Sequence, residues 1–228
     1  MGGAAVRPET KYVDGYLDST AVHVLSNNDD TWADCELNPR QQASVYGCLP
    51  VPRQGTNYSD RDGRKIFVKN IKIRGRLQFT GADTVTTNQV QGFVRLIVVK
   101  DTTTCNATLS AENVIGPGLG SDGAAALTGD SAIMSMTDPD GWGRYKILAD
   151  RIYKIAPQST FSDGTDGTMN DYYMPFKITV KVNCYINFSG STGVIGDVVD
   201  NSIHLIGASS TSTNGVNISY VARTAFIG

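Results

Sequence analysis

Between Arg64 and Arg76 the chain reads RKIFVKNIKIRGR, with six cations (Arg64, Lys65, Lys69, Lys72, Arg74 and Arg76) and no acid among them. Lys and Arg at this density can hold phosphates or sulfated sugars, the arginines through paired N–H donors as well as charge. The same residues also keep a solvated strand from pairing edge to edge with other chains. Lys177 and Lys181 in FKITVKVNCYINF add two further cations, so a local positive surface is expected on a chain of formal net charge -2 and pI near 5.6. That balance excludes any overall attraction to nucleic acid or an anionic membrane. Tyr172, Tyr173 and Tyr185 lie close to these cations in the sequence; they could stack bases, or serve as ordinary strand residues.

Other chemistry is sparse. The two histidines, His23 and His204, each fall inside a strand pattern, where a satisfied core or surface histidine is expected rather than a catalytic base. There is no nucleophile elbow and no zinc-protease motif, and no cluster of His with Cys or carboxylates suits a metal. GPGLGSDG at 116–123 lacks the Lys-Ser/Thr of a phosphate loop. DPDG at 138–141 and DGTDG at 163–167 place carboxylates beside turns without the alternating ligands of a calcium loop. No acidic pair stands on a strand as glycoside hydrolysis would need. Neither cofactor nor metal is expected, and the chain does not read as an enzyme. The four cysteines, Cys35, Cys48, Cys105 and Cys184, form no C-x-x-C pair. Buried free thiols are the expectation, with a Cys35–Cys48 bridge left open.

The elements that must position these residues are strands. In 176–188 Phe176, Ile178, Val180, Val182, Cys184, Ile186 and Phe188 occupy every second position, which puts an apolar face on the core and the lysines on the other side. GRKIFVKNIKIRGRLQF at 63–79 is a second long strand. Its alternation slips between Val68 and Ile71, as a bulge would make it. GFVRLIVVK at 92–100 is apolar on both faces, as in a central strand covered on each side. DSTAVHVLS (18–26), NSIHLIGAS (201–209) and VNISYVARTAFI (216–227) also read as strands. WADCEL (32–37) is a strand or a short turn. RYKILADRIYKI (144–155) is either two short strands hinged near Ala149-Asp150 or one amphipathic helix, and its β-rich surroundings favour the strands. About eight strands and no convincing helix, in a chain with 24 glycines, predict an all-β fold. The simplest is a single eight-stranded antiparallel jelly-roll sandwich with long inter-strand loops at 38–63, 101–144 and 156–173. Residues 1–17 read as an N-terminal arm and 18–228 as the domain. No run is long enough to span a membrane and no signal peptide opens the chain, so a soluble protein with no export route is expected.

The ordered set ETKYVD, GRKIFVKNIKIRGRLQF, VRLIVVKD, RYKILADRIYKI, FKITVKVNCYINFSG, NSIHLIGAS and ISYVARTAFIG resembles the capsid proteins of small circular single-stranded DNA viruses that encode a replication protein, the circovirus-like and geminivirus-like lineages. Satellite-virus coat proteins share the architecture. The resemblance spans nearly the whole chain as a pattern of strands and spacings. It implies strands B to I in two four-stranded sheets, with B at 18–26, C at 63–79, D at 92–100, E and F at 144–155, G at 174–188, H at 201–209 and I at 216–227. It further implies self-assembly into a T=1 icosahedral shell of about sixty copies around a single-stranded DNA genome, in a virion assembled in the host nucleus. Members of that family usually begin with an arginine-rich arm; here only Arg7 and Lys11 precede residue 40, so either the arm lies upstream of this chain or this lineage lacks it.

On this reading Lys177, Lys181, Arg7 and Lys11 are the candidate nucleic-acid contacts, with genome phosphates or an inter-subunit carboxylate meeting Lys177 and Lys181. Lys69, Lys72, Arg74 and Arg76, on a strand assigned to the opposite sheet, are candidates for a host-cell glycan receptor or a subunit interface. Trp142, Tyr145 and Phe161 are the expected aromatic anchors between subunits. Two rivals remain: a β-sandwich carbohydrate-binding module of the lectin or adhesin type, and a polysaccharide lyase or glycosidase on the same sandwich.

Overall fold

A computed structural model describes residues 9–25, 32, 34–41, 44–79, 92–116, 130–155, 172–210 and 216–228. Ten strands run in chain order: β1 (Lys11–Ala21), β2 (His23–Val24), β3 (Arg40–Gln41), β4 (Ser44–Val45), β5 (Lys65–Phe79), β6 (Gly92–Asp101), β7 (Tyr145–Ile155), β8 (Tyr172–Asn187), β9 (Ser202–Ser209) and β10 (Val216–Ile227). They form two sheets, in the orders β4-β3-β1-β10-β5-β8 and β2-β9-β6-β7. Apart from the short parallel contact of β2 with β9, every pairing is antiparallel. This is an all-β jelly-roll sandwich, as the alternation and strand count predict.

The strand letters expected from the sequence need correction. Residues 35–37 run antiparallel to β9: Leu37 N–H donates to Leu205 O at 2.8 Å and Gly207 N–H to Cys35 O at 2.9 Å. That short edge segment is strand C. β5 is therefore D, sitting between I (β10) and G (β8), and β6 is E. RYKILADRIYKI is the single strand β7, or F. The expected hinge is a bulge: Ala149 faces Val98 and Ile147 faces Val99, leaving Leu148 without a partner. WADCEL, expected as a strand or a short turn, thus supplies C, and the letters from C to E each move one strand along the chain. β1 also starts earlier than expected, and Lys11 to Leu17, read as arm, pair with β10 from Phe226 to Tyr220.

The core follows from the alternation. Ile66, Val68, Ile71, Ile73 and Leu77 of β5 meet Phe176, Ile178, Val180 and Ile186 of β8 on the inner side of the first sheet. Across the sandwich they meet Val94, Leu96 and Val98 of β6 and Ile203 and Leu205 of β9. The switch from even to odd inward positions on β5 occurs at Lys69, which is bulged out of register with both neighbours, where the sequence places a slip. β6 has two apolar faces because a second cluster lies behind it. Ile97, Val99, Ile206 and Ala208 pack under Leu109, Val114, Ile115, Ala132 and Ile133 of the segment between β6 and β7. Arg95 anchors that cover: its Nε and Nη2 donate to Asp150 at 2.9 and 2.6 Å, and its Nη1 donates to the carbonyls of Ile133 and Ser135 at 2.9 and 2.6 Å. No disulfide joins any of the four cysteines; Cys35 and Cys48 are buried, Cys184 is half-buried and Cys105 is exposed. Among the described residues no helix is long and apolar enough to cross a membrane.

Candidate functional site

On the outer side of the first sheet the strand register sets side chains in rows. One row is Tyr16, Val221, Arg74 and Lys177, and the next is Asp14, Arg223, Lys72 and Thr179. The lysines of β8 and the cations of β5 thus share one face, where the sequence reading put them on opposite sheets. The cause is the identity of β5 as strand D, the direct neighbour of G. Arg74 and Lys177 stand directly opposite each other, a like-charge cross-strand pair that costs stability in isolation. Among the described residues no acid pairs with Lys72, Arg74, Lys177 or Lys181. Toward β1 the face changes character. Arg223 is held by Asp14 through two bonds of 2.7 and 2.6 Å, and further along β1 Asp18 accepts from Ser219 Oγ at 3.4 Å.

Apolar and aromatic groups interleave with the charges. Tyr16 and Val221 are 53% and 52% exposed. The Arg76 guanidinium lies 4.9 Å from the Tyr173 ring centre and the Lys65 ammonium 4.1 Å from that of Tyr185. Tyr16, Asp18, Arg74, Arg76, Ser219 and Val221 rim a shallow depression over Gly75. A side chain at Gly75 would crowd the core side of the sheet, its Cβ coming within 2.3 Å of Ser219 O and 2.5 Å of Tyr220 Cβ.

The other predicted positions lie away from this face. Lys69 Nζ donates to Thr10 Oγ1 at 2.7 Å, and Lys11 Nζ donates to Asp60 O at 3.1 Å and to the Asp62 carboxylate at 3.3 Å. Both lysines fasten the start of β1 to its surroundings. Arg7 and Phe161 lie outside the described residues. Trp142 is 70% exposed, on a 3-10 turn at Pro139–Gly141 whose Asp138 cap accepts from Asp140 N–H at 2.9 Å. Its indole N–H donates to Thr137 Oγ1 at 3.2 Å. Tyr145 is half-buried beneath Arg144, which makes a bidentate pair with the buried Asp101.

His204 is fully buried, with Nε2 2.7 Å from Ser202 Oγ and Nδ1 3.4 Å from Asn38 Nδ2. The spacing is that of a nucleophile and its base. Yet burial lowers the imidazole pKa to about 4, and Ser202 Oγ is bonded onward to Thr104 at 2.7 Å. The group is a polar tie inside the fold. Among the described residues no three His, Cys, Asp or Glu come together to hold a metal ion. The sequence reading missed Tyr16, Val221 and Arg223 on the basic face and Met136 beside the Trp142 turn. The alternation of β10 carried a signal for Val221 and Arg223.

No family model matches the chain, and no curated protein matches it. Among solved structures it is similar to the VP2 subviral particle of infectious bursal disease virus, at 12% identity and a TM-score of 0.27, over 98% of this chain and 34% of that one. This chain thus spans about a third of VP2. It is also similar to VP1 of Trichodysplasia spinulosa-associated polyomavirus, solved with sialylated glycooligomers, at 11% identity and a TM-score of 0.29, over 96% of this chain and 95% of VP1. VP1 with GM1 oligosaccharide gives the same identity and TM-score over 99% and 96%. Scores this low set no residue correspondence, and the fold rests on the strand order itself.

Proposed function

We propose that this chain is the structural subunit of a viral capsid, assembling through its own surfaces into a T=1 icosahedral shell of about sixty copies around a single-stranded DNA genome. The observation that carries the reading is a sandwich whose core is complete within one chain but which exposes large apolar side chains on two surfaces. Tyr16, Val221, Tyr173 and Tyr185 stand on the basic sheet face, and Trp142 and Met136 on the cover of the other sheet. Exposed apolar groups set among charges are the composition of interfaces rather than of bare surface. The sequence resemblance to capsid proteins of circular single-stranded DNA viruses supports the same assignment. Lys177 and Lys181 then meet genome phosphates or carboxylates of a neighbouring subunit, and Lys72, Arg74 and Arg76 are offered to the same partner because they share that face. A host glycan is the remaining role for these cations, and the virion, assembled in the nucleus, is the protein's location.

Light scattering on the purified full chain, with absorbance at 260 and 280 nm read on the same peak, tests this. A megadalton peak is expected, and a high 260/280 ratio marks packaged nucleic acid. A peak at the 24.4 kDa monomer overturns the shell and moves the carbohydrate-binding module ahead.

A further inference from the structure

Resting on the shell reading, we infer that the basic face of the first sheet docks onto the acidic, Trp142-bearing cover of the second sheet on a neighbouring copy. The cover carries Glu112, Asp138 and Asp140 around two short 3-10 turns, Ala111–Asn113 and Pro139–Gly141, which are tied together by Asp138 N–H donating to Val114 O at 2.9 Å. No Lys or Arg pairs with these three acids among the described residues. Beside them Trp142 and the 83% exposed Met136 project to solvent. The opposite side of the sandwich offers the counterpart: five cations (Lys72, Arg74, Arg76, Lys177 and Lys181) set among exposed tyrosines and Val221.

Each surface is unbalanced by itself and the two are complementary in both charge and apolarity. A neighbouring carboxylate between Arg74 and Lys177 removes the like-charge cost of that pair. Trp142 and Met136 supply apolar area against Tyr16 and Val221, which a phosphate backbone leaves unused. The exposed acid Asp18 of β1 also interrupts any track for a polyanion across the sheet. Because the two surfaces differ and lie on opposite sides of one sandwich, the contact is heterologous. Repeated with a rotation that divides a full turn, such a contact closes into a ring, the unit from which a shell with symmetry axes is built.

Two charge-reversed full-length variants test it. Glu112→Lys with Asp140→Lys makes the cover basic; neither side chain makes a hydrogen bond or ion pair among the described residues. Arg74→Glu with Lys177→Glu makes the sheet face acidic. Each variant alone should need at least tenfold more protein to assemble than the wild type, as seen by light scattering. Mixing the two restores assembly, since each reversed surface then finds its complement, and that rescue excludes misfolding as the cause. If wild type assembles and both variants assemble like it, the inference is overturned while the shell reading stands. If only the face variant changes, losing its 260 nm absorbance with assembly intact, the face binds nucleic acid and the inference is again overturned. A wild type that remains monomeric overturns both.

Discussion

On the outer side of β6 and β9, the residues Ile97, Val99, Ile206 and Ala208 are buried beneath the segment that links β6 to β7. On the outer side of β5 and β8, the corresponding positions are Lys72, Arg74, Lys177 and Lys181, all exposed. Both sheets contribute an equally apolar inner face to the same core, so the contrast lies entirely in what covers the outside. Among the described residues one sheet is covered by the segment between β6 and β7, and the outer side of the other is exposed. A sheet with two apolar faces must bring its own cover, because exposing Ile97 and Val99 would forfeit about 25 cal/mol for each Å² of apolar area. A sheet with one charged face can stand in water or meet a partner.

The contrast breaks most violently if a charge is put on the covered side. Ile97→Lys should cost more than about 4 kcal/mol, since a buried unpaired ammonium has nothing to answer it; denaturant unfolding measures this. Arg95→Met should cost about 2–3 kcal/mol by leaving the carbonyls of Ile133 and Ser135 without their donor, in the same assay. If the cover were a loosely attached flap, either change would leave the main unfolding transition in place.

The pH profile sharpens the comparison further. His204, in the covered sheet, stays neutral down to about pH 4, while the unfolded chain takes up its proton near pH 6.5. The unfolded state therefore binds more protons across that window, and stability falls as pH falls through it, by about 3 kcal/mol in all. His204→Gln should flatten that part of a stability-against-pH curve.

Smaller effects are expected on the open sheet. Gly75→Val should cost about 1–3 kcal/mol through its collision with Ser219 and Tyr220, read as a lowered melting temperature. At the small end, Trp142→Ala should change monomer stability by no more than about 0.5 kcal/mol yet weaken assembly. A large stability loss there would make Trp142 part of the core.

Much of this was legible in the residues. The inward set of β8, the bulge at Lys69 and the double-sided burial of β6 all follow from period and composition. Local pattern left two things out. Residues 35–37 are too short to show a period, and their strand identity depends on hydrogen bonds to β9, more than 160 residues away. The basic face was half visible, because the cations of 64–76 and the lysines of 177 and 181 each stand out. Their union needed the pairing of Arg74 with Lys177, a fact of register between distant strands.

What the sequence determined by itself is therefore which side of each strand is apolar, because side chains alternate along any extended backbone whatever its neighbours. Tertiary structure alone decided which strands lie side by side, and so which cations share a surface and where the Trp142 turn sits relative to them. Pairing is set by hydrogen bonds that every backbone can make, and the choice among partners is made by how the whole set of apolar faces closes into one core.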